Sequence, residues 1–600
     1  MVKVTDYIAD TLTQRGVRDV FGVTGGGAMH LGCSLGTHPK LNFLYNHHEQ
    51  ASAMAVEGYC KLSNRLAVLC VTTGPGGTNT VTGVHGAWTD STAMLVLSGQ
   101  VKRETTVRWT GHPVRQLGDQ EVDIVEMVRG ITKYAVMLTE AESVRYHLEK
   151  ALYLATTGRP GPCWVDVPMD IQGASIDPES LPGYRPDPAQ EPWRNTDLEA
   201  AVADVLERIS RAERPVILTG TGVRISGRHA DFIKAVERLG IPVTTAWNAH
   251  DALWNDHPLF VGRPGSIGDR PGNFAVQNAD LLLVLGCRLN VRQVGWNFDS
   301  FARAAHRILV DIDELEMGKP TLRPSQRIHA DLADFLPLLA QAPCPGPGPA
   351  HQRWLDWCKQ RQARYPVVLP EYRQSRLVNP YHFMEVLFRS LDEDEVVVTG
   401  NGSACVIGFQ AAHLKPGQRL FTSSGSASMG YDLPAAIGAC RALGDRPMVC
   451  LTGDGSIMMN LQELQTIVGY RLPIRIFLIN NDGYASMRQT QRNFFKVEFG
   501  SGPGSGVTLP DFAKVSAAFG LPFRRCTRPA DLEAAVRDTL RIQGPAMCEV
   551  VVDPDQVFAP KQSSRQLPDG RMVSTPLEDL APFLDREELK ENMLIPLWQP

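Results

Sequence analysis

Short, uninterrupted apolar runs recur along the chain, each ending in a turn rich in glycine or threonine and each followed by apolar residues at helical spacing. Such runs occupy 20–23, 41–46, 66–71 and 93–98, then 215–219, 281–285 and 308–312, then 396–399, 447–451 and 474–479. Runs without polar alternation mark strands buried on both faces. The helical segments between them predict βαβ units and parallel sheets. Helices are predicted over 7–15 (Ile8 and Leu12 on the apolar side, Val17 just beyond), over an alanine-rich stretch with Ala51, Ala53, Ala55, Val56 and Tyr59, and over 383–391 and 460–467. The run 161–168 reads as the strand that closes the first unit.

The pattern breaks twice. Residues 173–194 are rich in Pro, Asp and Glu with no apolar period, and 343–349 alternate proline with glycine and cysteine before the chain turns helical again. Both read as linkers. A chain of 600 residues is too long for one core. The predicted division is therefore an α/β unit over 1–172, a linker over 173–194, a second α/β unit over 195–340, a linker over 341–374, a third α/β unit over 375–555 and a tail over 556–600. The tail's proline-interrupted segment, Leu567 to Leu584, reads either as disordered or as a cover folded over a site, such as a lid.

Composition narrows the class. Hydrophobic residues make up 43% and charged residues 21%, ordinary for a soluble globular protein. A net charge of −5 gives no reason to expect nucleic acid or an anionic membrane as a partner. The 12 cysteines form no Cys-x-x-Cys pair, which argues against zinc and a disulfide framework and for a reducing cytoplasm. The start, Met1 to Asp6, has no apolar signal character, and no run approaches the ~18 apolar residues of a membrane span.

The chemistry-bearing stretch is Gly453-Asp454-Gly455-Ser456, followed after a helix and a strand by Asn480-Asn481-Asp482-Gly483-Tyr484. Asp454 and Asn481 fall at the carboxyl ends of two strands of one βαβ unit, where open parallel sheets bind ligands. A carboxylate, an amide oxygen and a free carbonyl suit Mg²⁺, which completes its octahedron with water and phosphate oxygens. The motif alone also fits a plain tight turn. Glu49, at a strand end before the alanine helix, is either a carboxylate favouring the helix dipole or a reacting group. His47 and His48 diverge as neighbours and have no third metal ligand. Gly220 and Gly222 follow a strand as a dinucleotide turn would. Asp311 and Asp313 end another strand, placed to accept from a ribose or adenine or simply to cap a helix. Met429 alone would be core filler.

The Gly-Asp-Gly and Asn-Asn pair resembles the signature of thiamine diphosphate (ThDP) enzymes. So do the segment around His48-Glu49 and the turn Gly74-Pro75-Gly76 with Asn79. Residues 87–91, 98–101, 120–124 and 161–168 resemble acetohydroxyacid synthases in particular, and so does the segment from Arg288 to Gly295 with Asp311 to Lys319, which in that family binds a flavin with no net redox role. The resemblance implies three doubly wound parallel-sheet domains, for the pyrimidine, for FAD and for the diphosphate. It implies Mg²⁺ on Asp454, Asn481 and the Gly483 carbonyl, with ThDP contacts from Gly26, Gly74, Asn79, Gly402, Ser403, Ala427, Met429, Gly453, Gly455, Ser456 and Tyr484. Met429 would lie beneath the cofactor and hold its rings in a V. Glu49 would hydrogen-bond the pyrimidine nitrogen so that the cofactor's own amino group ionises the thiazolium C2–H, work suited to a buried carboxyl of raised pKa. FAD contacts would come from Gly220, Gly222, Arg288, Asn290, Asp311, Ile312 and Asp331. Because Glu and diphosphate sites come from facing subunits in the family, a homodimer or homotetramer with active sites at the interface is implied.

The substrates implied are pyruvate as donor and a ketone as acceptor, contacted by Asp119, Gln120, Arg292, Met487 and Thr490. Here the chain departs from the family. Thr490 stands where acetohydroxyacid synthases have Trp, Asp119 where they have Phe, Gly402-Ser403-Ala404 where Gly-Gln-His is usual, and Val291 replaces the acidic residue before Arg292. Thr490 and Asp119, with the Leu567–Leu584 tail, resemble the ThDP/FAD enzymes that add an acetyl unit to a nucleotide-linked keto-deoxysugar, as in yersiniose biosynthesis. A plain acetolactate synthase, a 2-oxo acid decarboxylase and a catalytically silent binding paralogue are the alternatives.

Overall fold

The computed structural model describes residues 1–566 and 569–599. Three six-stranded sheets, each parallel throughout, frame the molecule. In the first, Asp19–Gly22, Asn42–Tyr45, Val68–Val71, Met94–Gln100, Tyr134–Met137 and Pro162–Pro168 lie side by side in the order second, first, third, fourth, sixth, fifth. The last sheet repeats that order with Val396–Thr399, Arg419–Phe421, Met448–Gly453, Ile474–Asn480, Phe523–Cys526 and Ala546–Val551. The central sheet differs. Pro215–Thr219, Val243–Thr245, Phe260–Gly262, Leu281–Leu285, His306–Asp311 and Gln326–His329 run third, second, first, fourth, fifth, sixth. That is the dinucleotide-binding order, in which the sheet reverses beside its first strand and leaves a crevice at the carboxyl ends. The α/β, three-sheet architecture predicted from the apolar runs is the one observed.

Most of the apolar runs are interior strands; the run 41–46 is the exception, an edge strand at Asn42–Tyr45 in which only Leu44 is buried. Leu281–Leu285 and Met94–Gln100 are buried at every position. The run ending the first unit, Pro162–Pro168, lies inside the sheet, and Tyr134–Met137 forms the edge beyond it. The alanine-rich stretch is the helix Glu49–Ser63, packed on Asp432–Ala442 of the last unit so closely that the helices touch through their backbones. A Cβ on Gly58 would run into the Ala435 carbonyl, and one on Gly438 into that of Ala55. Small residues are therefore required there, and one apolar core runs through the first and last units.

Both connecting segments carry local structure. Ser175–Ile176 pairs antiparallel with Val2–Lys3. The helix Pro349–Arg364 buries Trp354 and Cys358 in the central core. The tail runs along the central unit: Leu577 joins its core, Gln277 donates to the Glu578 carboxylate at 2.5 Å, and the Leu594 N–H donates to Asn278 at 2.6 Å. Leu567 and Pro568, where the predicted covering segment begins, lie outside the described residues. Among the described residues no helix is long and apolar enough to cross a membrane.

Candidate functional site

The chemistry of the last unit gathers where its first and third strands end. A cleft of about 530 Å³ is lined there by Gly402, Ser403, Ala427, Met429, Gly453, Asp454, Gly455, Ser456, Asn481, Gly483, Tyr484 and Met487, with Arg292 entering from the central unit. Asp454 is buried at 1% exposure, and its carboxylate is aimed by three backbone amides: Gly455 at 2.7 Å, Gly483 at 2.9 Å and Asn481 at 3.0 Å. Burial, opposed by those amides and more weakly by the Arg488 charge, pushes its pKa up to about 6. Asn481 donates its amide nitrogen to Ser403 Oγ at 2.9 Å, which leaves the amide oxygen buried without a hydrogen-bond partner. An orphaned amide oxygen beside an unpaired buried carboxylate is a hard-oxygen donor set for a divalent cation. Among the described residues no group of three or more His, Cys, Asp or Glu forms a metal cage. A hard cation at Asp454 could take further oxygens from the Asn481 amide, backbone carbonyls, water and ligand phosphates. The helix Ser403–Ala411 opens onto the cleft behind Gly402, which is held at φ +78°, and its free N–H groups suit a phosphate.

Several residues that support this cleft carry no sequence signal of their own. Arg488 is 6% exposed and donates to the carbonyls of Asn481 and Asp482, fixing the turn that presents Gly483. Asp432 accepts from Ser456 Oγ at 2.6 Å, and that oxygen accepts from the Gly430 N–H at 2.9 Å. Asn460 donates to the Gly430 carbonyl at 2.8 Å. The helix predicted from 460 begins at Glu463, with 458–462 in turns before it. Ala427 is a non-glycine residue in the left-handed region, at φ +54°. Gly455 is required by its neighbour, since a Cβ there would meet the Tyr484 ring. Thr490, on the same helix as Met487, is exposed; its hydroxyl donates back to the Ser486 carbonyl at 3.1 Å, and it is not part of the cleft lining.

A second cluster forms at the carboxyl ends of the first unit's strands. Glu49 begins its helix, half-buried, and accepts from the Asn79 amide at 3.0 Å. Gly74, at φ +59°, lies against the Gln120 carbonyl closely enough that a Cβ would collide with it. Gln120 is itself left-handed at φ +58°, and Asp119 beside it is exposed. Gly26 sits in the exposed turn whose neighbours Gly25 and Gly27 press on Thr72 and Thr73. His48 caps the Glu49 helix, accepting from the Gln50 N–H at 3.0 Å. The strand end delivering Glu49 is anchored on the last unit: Glu463 accepts from the Asn46 amide at 2.8 Å and from the His47 N–H at 3.0 Å. Within one chain Glu49, Gly26, Gly74, Asn79 and Gln120 do not line the Asp454 cleft. The predicted site residues thus fall into two clusters within one chain.

The central crevice is the third feature. Gly222, Arg288, Asp311, Ile312 and Asp331 line a cavity of about 330 Å³, walled on the other side by Gly158, Arg159, Trp193 and Arg194. Gly220 and Asn290 line the adjoining space with Arg288. Asp313 caps the helix Glu314–Met317 and pairs with Arg159 at 2.9 Å, whereas Asp311 faces the cavity, its carboxyl pushed up by burial to about 6. Asp331 and Asn290 cap the helices Leu332–Gln341 and Val291–Val294.

Comparison with known families matches residues 2–127 to the N-terminal TPP binding domain of thiamine pyrophosphate enzymes, 202–339 to their central domain and 400–550 to their C-terminal TPP binding domain. The probable acetolactate synthase 2, chloroplastic, of Oryza sativa subsp. japonica is 32% identical over 571 residues, covering 92% of this chain and 83% of that protein. The acetolactate synthase isozyme 1 large subunit of Escherichia coli (strain K12) is 30% identical over 562 residues, covering 92% of this chain and 95% of its own length. A probable acetolactate synthase large subunit of Methanocaldococcus jannaschii is 29% identical over 579 residues, 93% of each chain. With three matched domains on three matching sheets, the chain belongs to the thiamine pyrophosphate enzyme family and is a ThDP-dependent enzyme related to the acetolactate synthase large subunits.

Proposed function

We propose that the protein decarboxylates pyruvate and joins the resulting two-carbon unit to a ketone acceptor, either a 2-oxo acid or a nucleotide-linked keto-deoxysugar. The observation that carries the reading is the orphaned Asn481 amide oxygen beside the buried Asp454 carboxylate. These two, with the Gly483 carbonyl, would hold Mg²⁺ against a diphosphate seated on Gly402, Ser403, Gly453, Gly455 and Ser456. When bound, thiamine diphosphate would supply a carbon acid on which a 2-oxo acid can lose CO₂. Glu49 would hold a proton at the pyrimidine ring nitrogen, with Asn79 fixing its carboxylate. Ala427, Met429 and Tyr484 would shape the space between the two ends of the cofactor.

Because Glu49 and Asp454 stand in separate clusters, the working unit is proposed as a homodimer, or a pair of dimers, in which one subunit's Glu49 faces its partner's cleft. Arg292 lies over the Trp247 ring at 4.8 Å and lines the cleft, a cation available to an acidic acceptor. Gln120, Asp119, Met487 and Thr490 are proposed around the acceptor path. The central crevice, with its dinucleotide strand order, is proposed to hold FAD along Gly220, Gly222, Arg288, Asn290, Asp311, Ile312 and Asp331, in a structural role.

The test is an assay with pyruvate, ThDP and Mg²⁺. CO₂ release supports the reading, and its complete absence removes it. Where CO₂ appears, acetolactate as product with pyruvate alone identifies the plain acetolactate synthase reading, which the relatives' names fit equally well. A branched product that forms only with a nucleotide-linked keto sugar identifies the sugar-directed one. Purified protein that releases no flavin on denaturation removes FAD.

A further inference from the structure

Outside the reacting groups, three units of the fold meet on one carboxylate. Asp90 follows the helix Val81–Thr89 of the first unit, and its side chain is 4% exposed. One of its oxygens accepts from the Gly425 N–H at 2.7 Å. The other accepts from the Ser424 N–H at 2.7 Å and from Lys61 Nζ at 2.7 Å. Lys61 also reaches the buried Glu57 carboxylate at 2.6 Å, donates to the Thr422 carbonyl at 2.7 Å and lies 5.5 Å from the Tyr431 ring centre. From the central unit, Arg288 approaches Asp90 at 3.9 Å. Burial works against the Asp90 carboxylate, but Lys61 and Arg288 outweigh it and hold the group below its ordinary range. Gly425 is needed for the approach, since a Cβ there would stand 2.6 Å from the Thr89 side chain and 2.8 Å from the Asp90 oxygen.

The two amides held by Asp90 open the loop that carries Ala427 and Met429 into the Asp454 cleft. Further along, His85 hydrogen-bonds Ser426 Oγ at 3.0 Å, and Asn401 donates to the Ser428 carbonyl at 2.8 Å. The loop's far end is fixed within its own unit, through Gly430 on Ser456 and Asn460. Between these ties Ala427 keeps φ +54°, a conformation that persists in a non-glycine residue only when its surroundings impose it. Three of the ties, from Asp90 to Ser424 and Gly425 and from His85 to Ser426, come from a different unit of the fold.

We propose that Asp90 is a positioning residue for cofactor binding: it clamps the Ser424–Met429 loop from the first unit, so the cleft takes its binding shape only while the first, central and last units are docked together. The proposal rests on the reading of the cleft as the ThDP site. A pair of charge-assisted bonds to adjacent amides is a directional tether that general packing would not supply.

The test uses two variants of the full-length protein, with two readouts. Asp90→Asn keeps the shape and removes the charge. Gly425→Ala leaves every charge in place and, at an exposed position, pushes the loop off Asp90. Both are expected to speed amide hydrogen exchange at Ser424 and Gly425 and to raise the ThDP concentration that half-saturates the Mg²⁺-loaded protein, each by about tenfold. Exchange within the strand Met448–Gly453 should stay as in the parent. Parental exchange at 424–425 together with parental ThDP affinity in folded Asp90→Asn overturns the proposal; should that variant fail to fold, the same result in Gly425→Ala overturns it. The exchange readout needs no cofactor, so a parent protein that binds no ThDP refutes the cleft reading separately from the clamp.

Discussion

Asn79 donates its side-chain amide to the Glu49 carboxylate at 3.0 Å, joining the turn after one strand to the first residue of the helix after another. Glu49 at a helix start would serve the dipole equally well if it pointed into water. A partner on a different strand end instead fixes its direction. Glu49→Gln is therefore expected to lower pyruvate decarboxylation by about 10²–10⁴-fold, the range for a lost acid–base group, while ThDP still binds. Asn79→Ala should give a smaller loss in the same direction. Near-parental activity of Glu49→Gln would remove the role assigned to it.

Among the described residues Asp454 belongs to no group of three or more His, Cys, Asp or Glu, so the cation and the diphosphate are expected to bind together. Dialysis against a chelator is expected to abolish ThDP binding, and Mg²⁺ to restore it. Asp454→Ala should weaken ThDP binding by about 30-fold or more, the scale for losing one partner of a buried charge contact. Equilibrium titration with ThDP measures both. Unchanged ThDP affinity in chelator would sink the Asp454–Asn481–Gly483 assignment.

Much of this was legible in the chain because buried parallel strands write themselves as unbroken apolar runs. Leu281–Leu285 and Ile474–Asn480 are of that kind, and their ends gave Arg288 and Asn481. Edge strands are less legible, although Asn42–Tyr45 is one that the run 41–46 did mark. Phe523–Cys526 carries two exposed arginines in its middle, and Tyr134–Met137 is only partly covered. Asn460 shows the limit at a helix start, where a helical spacing hid a buried side chain serving a loop carbonyl. Asp90, Arg488 and Asp432 were illegible for a different reason. Asp90 works on backbone amides more than 300 residues away, and Asp432 on the Ser456 hydroxyl. Arg488 works on carbonyls of the turn that precedes its helix, and no apolar or helical spacing records such partners. That the Glu49 and Asp454 clusters work as one site is implied by the resemblance alone, since they are separate signals in one chain.

The tail's grip on the central unit predicts stability effects away from the chemistry. Leu577 is 1% exposed in the central core, and Leu577→Ala is expected to destabilise the protein by about 2–5 kcal/mol. Thermal unfolding of the variant measures this. An unchanged midpoint would mean the tail is a loose cover and not a strap.

Asp166 offers a pH test. It is 1% exposed beneath the first unit's strand ends, accepting from Ser98 at 2.5 Å and from the Gln100 amide at 3.1 Å. Burial, only partly offset by those bonds, pushes its carboxyl up to about 7 from an ordinary 3.8. The folded protein therefore holds this proton more tightly than the unfolded chain. The penalty for a buried charge is absent below the unfolded value, grows as pH rises towards 7, and levels off above it. A shift of this size corresponds to at most roughly 4 kcal/mol. Asp166→Asn, which cannot ionise, should lose less stability than the parent between about pH 5 and pH 8. Gln100 also accepts from Thr73 at 2.7 Å, directly before the Gly74 turn, which ties Asp166 to the strand ends of the first unit. Urea unfolding of both proteins across that range decides the matter. Parallel stability–pH curves would show that Asp166 is ionised throughout, with Ser98 and Gln100 compensating its burial.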